Sequence, residues 1–157
     1  MNTLGNLRGE QTRPTTAREG AVPARIAILI LNYNGYRDTI PCLESILQNW
    51  NATYEVIVID NASTDDSVDK IRLWAQNRIP PVHLIFGNPS DIATETDSGG
   101  TNSPRIVLLQ AGKNLGFSAG NNIGIRDALA RGAQWVLLLN NDTIVTSNAL
   151  QPVSYTH

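Results

Sequence analysis

Three aliphatic runs in this chain end in short polar turns. Ile26-Ala-Ile-Leu-Ile-Leu31 gives way to Asn32-Tyr33-Asn34-Gly35, and Glu55-Val-Ile-Val-Ile-Asp60 ends in a carboxylate followed by Asn61-Ala-Ser-Thr-Asp-Asp66. Trp135-Val-Leu-Leu-Leu139 leads into Asn140-Asn141-Asp142. None of the three alternates apolar with polar residues, so each predicts a buried strand covered on both faces, as in a parallel sheet. Parallel strands deliver their carboxyl ends to one edge, where open α/β sheets bind ligands. The polar turns are therefore expected side by side.

The segments between the runs carry helical spacing. Asp38 to Asn49 sets Ile40, Leu43, Ile46 and Leu47 three and four residues apart, and Pro41 fits such a helix only in its first turn. Ser63 to Asp66 predicts a helix start, with oxygens to cap N–H groups and Val68, Ile71 and Trp74 as the inward face. Val82 to Phe86 reads as a third strand, Gly87 to Pro104 as a long mobile loop, and Ile106 to Gln110 as another strand. Gly112 to Gly116 forms a turn, and Phe117 to Arg131 a helix closed by Gly132. Successive βα units favour a doubly wound α/β sheet.

Composition narrows the function. At 157 residues, 41% hydrophobic and 17% charged, the chain is of ordinary globular make-up. A formal net charge of −2 without a basic stripe argues against a nucleic-acid partner. Cys42 is the only cysteine, which excludes an internal disulfide and the usual cysteine zinc sites and fits a cytoplasmic setting. No apolar run approaches the roughly 20 residues of a membrane span. Residues 1–24 are poor in large apolar side chains and are expected to form a flexible tail.

Each motif allows two uses. Asp60 could accept a hydrogen bond from an imide N–H such as N3 of uracil or thymine, or it could cap its own turn. Asn114-Leu-Gly-Phe-Ser-Ala-Gly-Asn-Asn122 could bring backbone close to an anionic ligand, or its glycines could serve turns and packing while its amides satisfy buried backbone. Asp142 could bind Mg²⁺ or Mn²⁺, which need only one or two carboxylates when phosphates complete the shell, or it could cap residues 148–150. No Walker loop, no dinucleotide glycine fingerprint after the first strand and no nucleophile elbow is present. A phosphorylated receiver domain would need acidic residues after the first strand, where Asn32-Tyr33-Asn34 stands.

In this order, Ile28 to Gly35, Val58 to Asp66, Asn114 to Asn122 and Leu137 to Thr143 closely resemble family 2 glycosyltransferases, and most of all their rhamnosyltransferase-like branch. The resemblance covers Arg25 to about Leu150 and implies a GT-A fold: a Rossmann-like, mostly parallel α/β sheet with helices on both faces, here incomplete at its C-terminus. It implies that Asn32, Tyr33 and Asn34 line the nucleotide pocket with Asn61, and that Asp60 binds the pyrimidine. Asn114, Phe117, Ser118, Asn121 and Asn122 would close over the nucleotide sugar. Asp142 would match the last carboxylate of the family's Asp-x-Asp metal motif, with Asn140 where the family has its first. The implied cofactor is Mg²⁺ or Mn²⁺, and the implied donor a dTDP- or UDP-sugar, with rhamnose suggested by the branch. The implied reaction is inverting transfer to a glycan or lipid-linked acceptor hydroxyl in cell-surface glycan synthesis, by a cytoplasmic enzyme associated with the membrane when full-length.

The family's general base lies well beyond the metal motif, so no catalytic base is identified. Val153 to His157 also read as the translation of GTC TCT TAT ACA CAT, a library-adapter end. Residues 25–151 are accordingly expected to be the nucleotide-sugar-binding half of a GT-A domain, inactive alone, and 152–157 a non-native tail. The competing reading is a non-catalytic nucleotide-binding or interaction module of the same fold.

Overall fold

The computed structural model describes residues 25–50, 54–89, 104–147 and 149. The expected tail at 1–24, most of the expected mobile loop and the expected tail at 152–157 lie outside them.

Among the described residues, five strands and three long helices follow one another: β1 (Ile26–Asn32), α1 (Tyr36–Gln48), β2 (Tyr54–Asp60), α2 (Ser67–Asn77), β3 (His83–Gly87), β4 (Arg105–Gln110), α3 (Gly116–Ala130) and β5 (Trp135–Leu139). The strands form one sheet in the order β3-β4-β2-β1-β5, with every pairing parallel. Strand order reverses at β1, because β2 lies on one side of it and β5 on the other. Such a reversal opens a crevice at the carboxyl ends of the strands.

The period of two explains why the central strands are aliphatic throughout. Ile28, Ile30, Val56, Val58, Ile106 and Leu108 enter one core with Leu43 and Ile46 of α1 and Ile71 of α2. Ala27, Leu29, Ile57, Ile59, Val107 and Leu109 enter a second core with Ala128 of α3. Each fully buried Ile or Leu contributes roughly 1.5–3 kcal/mol, so a polar residue on either face would be costly. Between α1 and α2, Glu44 accepts from Trp74 Nε1 at 2.6 Å and from Arg78 Nε at 3.1 Å.

Helix α3 lies close against the sheet because two of its residues have no side chain. A Cβ at Gly120 would come within 2.7 Å of Leu31 Cδ1, and one at Gly124 within 2.6 Å of Ile59 Cδ1. A glycine inside a helix costs about 1 kcal/mol relative to alanine. Here that cost is offset by the close approach of helix to sheet. The helix ends as its sequence predicts: Gly132 has φ +85°, its N–H bonds Leu129 O at 3.0 Å, and Ala133 N–H bonds Ala128 O at 2.9 Å. This is the Schellman arrangement.

Two expectations are corrected. Helix α1 begins at Tyr36, so Pro41 lies in the helix interior rather than in its first turn. Arg37, whose carbonyl Pro41 cannot bond, is exposed and open to water. The start of α2 is as expected: Asp65 Oδ1 accepts from Ser67 N–H at 2.9 Å, although Asp66, at the cap position, makes no side-chain cap bond. The second correction concerns β5, which is not buried: Trp135 is 66% and Leu138 46% exposed. Among the described strands it pairs only with β1, at the sheet edge, where an aliphatic sequence does not ensure cover.

Candidate functional site

Register brings the polar turns together. Asn32 stands opposite Asp60, Asp60 opposite Gln110, and Leu139 opposite Ile30, so the turn after β5 continues level with the end of β1.

The turns after β1 and β2 are joined by side chains. Asp60, 1% exposed, accepts from Asn32 Nδ2 at 2.8 Å and Ser63 Oγ at 2.6 Å through Oδ1, and from Ser63 N–H at 3.0 Å through Oδ2. Its turn-capping use is therefore realised. Three accepted bonds occupy all but one of the roughly four acceptor directions of a carboxylate, and the one left belongs to Oδ2. Asn34, at φ 52°, accepts from Thr64 N–H at 2.7 Å and Asp65 N–H at 3.2 Å, while its own N–H donates to Ser63 Oγ at 2.9 Å. Asparagine tolerates this left-handed conformation better than most residues. Tyr33 is left exposed at the rim.

The glycine-rich segment is tied to the same edge by Asn61. Its Oδ1 accepts from Leu115 N–H at 3.0 Å, and its Nδ2 donates to Asn114 Oδ1 at 3.1 Å and Gly116 O at 3.3 Å. Asn121, 4% exposed, donates to Phe117 O at 2.9 Å. Asn61, Asn114 and Asn121 thus satisfy backbone groups, Asn114 Oδ1 accepting from Gly116 N–H at 2.9 Å, while Asn114, Phe117, Ser118 and Asn122 are exposed. Gly116, at φ +73° with open space around it, serves the turn.

Asn140 and Asp142 are exposed at the end of β5. Leu31, Phe117, Asn121, Leu138, Leu139, Asn140 and Asn141 line a cleft of ≈ 160 Å³ between α3 and this turn. The segment predicted to cover a sugar and the segment predicted to hold a metal therefore meet. A larger cavity of ≈ 210 Å³, lined by Pro89, Ile123, Arg126, Asp127 and Ala130, includes none of the predicted residues.

No group of three or more His, Cys, Asp or Glu side chains that could hold an ion occurs among the described residues. Asp142 fits only a site that a diphosphate completes, as Mg²⁺ and Mn²⁺ permit.

Sequence reasoning overlooked the support from α1. Asn141 Nδ2 donates to Thr39 Oγ1 at 3.2 Å and Gly35 O at 3.4 Å, Cys42 Sγ lies 3.8 Å from Asn140 O, and Val145 N–H donates to Ser45 Oγ at 2.9 Å. A Cβ on Gly35 would lie 2.6 Å from Asn141 Nδ2, which accounts for the glycine of the first turn. The available signal was the three-residue spacing of Thr39, Cys42 and Ser45, small polar residues beside the apolar face of one helix.

Burial, and secondarily the charge of Asp142, push the Cys42 thiol up from 9.0 to about 11, with a backbone hydrogen bond from Thr143 opposing. The folded chain should react with iodoacetamide at pH 8 at least about 100-fold more slowly than the urea-unfolded chain, since the thiolate is the nucleophile. Equal rates would refute the burial. Because the folded value is the higher, Cys42 contributes stability that is present below pH 9.0 and lost as pH rises to about 11.

Comparisons with known proteins agree with this geometry. The chain is 37% identical over 62 residues to the uncharacterized glycosyltransferase YibD of Escherichia coli (strain K12), a match covering 39% of this chain and 17% of that protein. The crystal structure of S. aureus TarS 1-349 superposes with a TM-score of 0.56 at 16% identity, covering 80% of this chain and 30% of that one. The mannosyltransferase PcManGT from Pyrobaculum calidifontis, in complex with GDP-Man and Mn²⁺, gives 0.58 at 18% identity, covering 87% and 33%. The chain thus spans a third or less of each of these proteins, and the two superpositions show that its sheet and helices have the GT-A fold. The family profile Glycosyl transferase family 2 matches residues 27–154, a span running from β1 through the Asn140–Asp142 turn, and the chain belongs to that family.

Proposed function

We propose that this chain binds the nucleotide part of a nucleoside-diphosphate sugar at the carboxyl edge of its sheet, as the donor-binding portion of an inverting glycosyltransferase. The observation that carries the reading is the cleft at the strand-order reversal, where Phe117 and Asn121 face Asn140 and Asn141 beside the exposed Asp142.

The residues have separable tasks. Asn32, Asn34, Asp60 and Ser63 hold the two turns that form a nucleoside pocket, and the remaining acceptor direction of Asp60 Oδ2 suits the imide N–H of uracil or thymine. Tyr33 offers an exposed ring at the pocket rim. Asn114, Phe117, Ser118 and Asn122 present amide, ring and hydroxyl groups over the sugar, with Asn61 and Asn121 bracing the backbone beneath. Asp142 would hold Mg²⁺ or Mn²⁺ with the diphosphate, and Asn140 contributes an uncharged amide beside it. When bound, the cation offsets charge developing on the departing diphosphate.

The donor is dTDP- or UDP-linked, with rhamnose as the sugar that the four motifs suggest. PcManGT, a structural relative, is a mannosyltransferase in complex with GDP-Man and Mn²⁺, which supports the class of nucleotide sugar and cation. The acceptor is a glycan or lipid-linked hydroxyl in cell-surface glycan synthesis on the cytoplasmic side of a membrane. The general base is assigned to no described residue, and the chain alone is proposed to bind donor without transferring it.

Calorimetric titration with UDP, dTDP and GDP, with and without Mn²⁺, tests the reading. A pyrimidine nucleotide should bind more tightly than GDP, and Mn²⁺ should strengthen that binding at least about tenfold, or 1.4 kcal/mol. A folded chain that binds none of the three removes the reading.

A further inference from the structure

We propose that Thr39 is a positioning residue that couples the nucleoside pocket to the turn bearing Asp142. The proposal rests on the functional reading above and deepens it.

A chain of side-chain hydrogen bonds crosses the floor of the site. Asn32 Nδ2 donates to Asp60 Oδ1 at 2.8 Å, Thr39 Oγ1 donates to Asn32 Oδ1 at 2.8 Å, and Asn141 Nδ2 donates to Thr39 Oγ1 at 3.2 Å. Asn32, Thr39 and Asp60 are each at most 1% exposed. Water therefore cannot readily replace a lost link, and an orphaned buried group bears its desolvation cost.

The direction of the chain is fixed by chemistry. A carboxylate only accepts, so Asn32 must turn its NH₂ toward Asp60 and its carbonyl oxygen toward Thr39. A threonine hydroxyl has one hydrogen, and donating it to Asn32 leaves the oxygen to accept. Asn141 must then present its NH₂ to Thr39. That orientation draws the side chain of Asn141 down onto α1, where the missing Cβ of Gly35 makes room for it. Asn140 and Asp142, on either side of Asn141, remain exposed, and Asn140 lines the cleft. The order Asn140-Asn141-Asp142 thus combines one inward anchor with two outward groups.

Residues 28, 7 and 102 positions apart are linked in succession, and among the described residues only Thr39 joins both ends by its side chain. Valine has nearly the same shape as threonine but can neither donate to Asn32 nor accept from Asn141. Serine can do both.

The test uses the whole chain with Thr39→Val, Thr39→Ser and Asn141→Ala, titrated with UDP, dTDP and GDP in the presence and absence of Mn²⁺. Thr39→Val should reduce the Mn²⁺ enhancement at least about tenfold, with Thr39→Ser recovering most of it. Asn141→Ala, which keeps the Thr39–Asn32 bond, should reduce the enhancement similarly and serves if Thr39→Val fails to fold. An unchanged enhancement in a folded Thr39→Val or Asn141→Ala chain overturns the coupling while leaving the functional reading intact. The side-chain amide resonances of Asn141, observed by NMR without nucleotide, give an independent readout. They should shift in Thr39→Val and return in Thr39→Ser, and resonances that do not move overturn the proposal. A folded wild-type chain that binds no nucleotide overturns the functional reading and the coupling with it.

Discussion

Asp60→Ala should lower the free energy of unfolding by on the order of 3 kcal/mol, because it removes the buried acceptor of Ser63 N–H and Ser63 Oγ and leaves Asn32 Nδ2 with only its bond to Ser63 Oγ. Urea titration reads this as a lower midpoint at an unchanged slope. Asp60→Asn, which keeps the volume and one acceptor oxygen, should fall between wild type and alanine. Asp60 and Ser63 are directly bonded, so Ser63→Ala combined with Asp60→Ala should cost less than the sum of the two single changes. An Asp60→Ala chain within about 0.5 kcal/mol of wild type would show that the carboxylate does not hold the two turns together. The consequence for binding studies is direct. Loss of nucleotide affinity in Asp60→Ala would mix a lost base contact with a collapsed pocket, so Asp60 is a poor single probe of the donor site.

Asp142→Ala should have the opposite profile. Asp142 is exposed, so its removal should leave the unfolding midpoint within the range of an ordinary surface change, about 0.5 kcal/mol. It should nevertheless abolish the Mn²⁺-dependent part of nucleotide affinity, a loss of at least about tenfold if the carboxylate is the main protein ligand, equivalent to about 1.4 kcal/mol. Asn140→Asp should act in the other direction, since a second carboxylate beside Asp142 strengthens the hold on a hard cation. Metal enhancement that persists in a folded Asp142→Ala chain would move the cation elsewhere. Stability and binding measured on the same two variants thus separate a residue that builds the site from one that faces its ligand.

The site was legible in unequal measure. Asn32, Asp60, Asn61 and Asn140 could be placed at one edge because each directly ends or follows an aliphatic strand. The double role open to Asp60 could not be resolved, since Ser63 lies three residues away and Asn32 twenty-eight, and only folding sets both against the same carboxylate. Thr39 carried no signal by itself. Its significance comes from Asn141, 102 positions away.

The sequence by itself determined the strands, the helices and their order, because burial on two faces or on one stripe leaves a local period in residue type. It also determined the close of α3 at Gly132, where only a glycine readily takes φ +85°. The tertiary structure alone decided that β5 is an exposed edge among the described strands while the equally aliphatic β1, between β2 and β5, is largely buried. It alone decided that α1 supports the turn carrying Asp142. Local periodicity reports whether a residue favours burial, whereas strand order and long-range hydrogen bonds decide which neighbours do the burying.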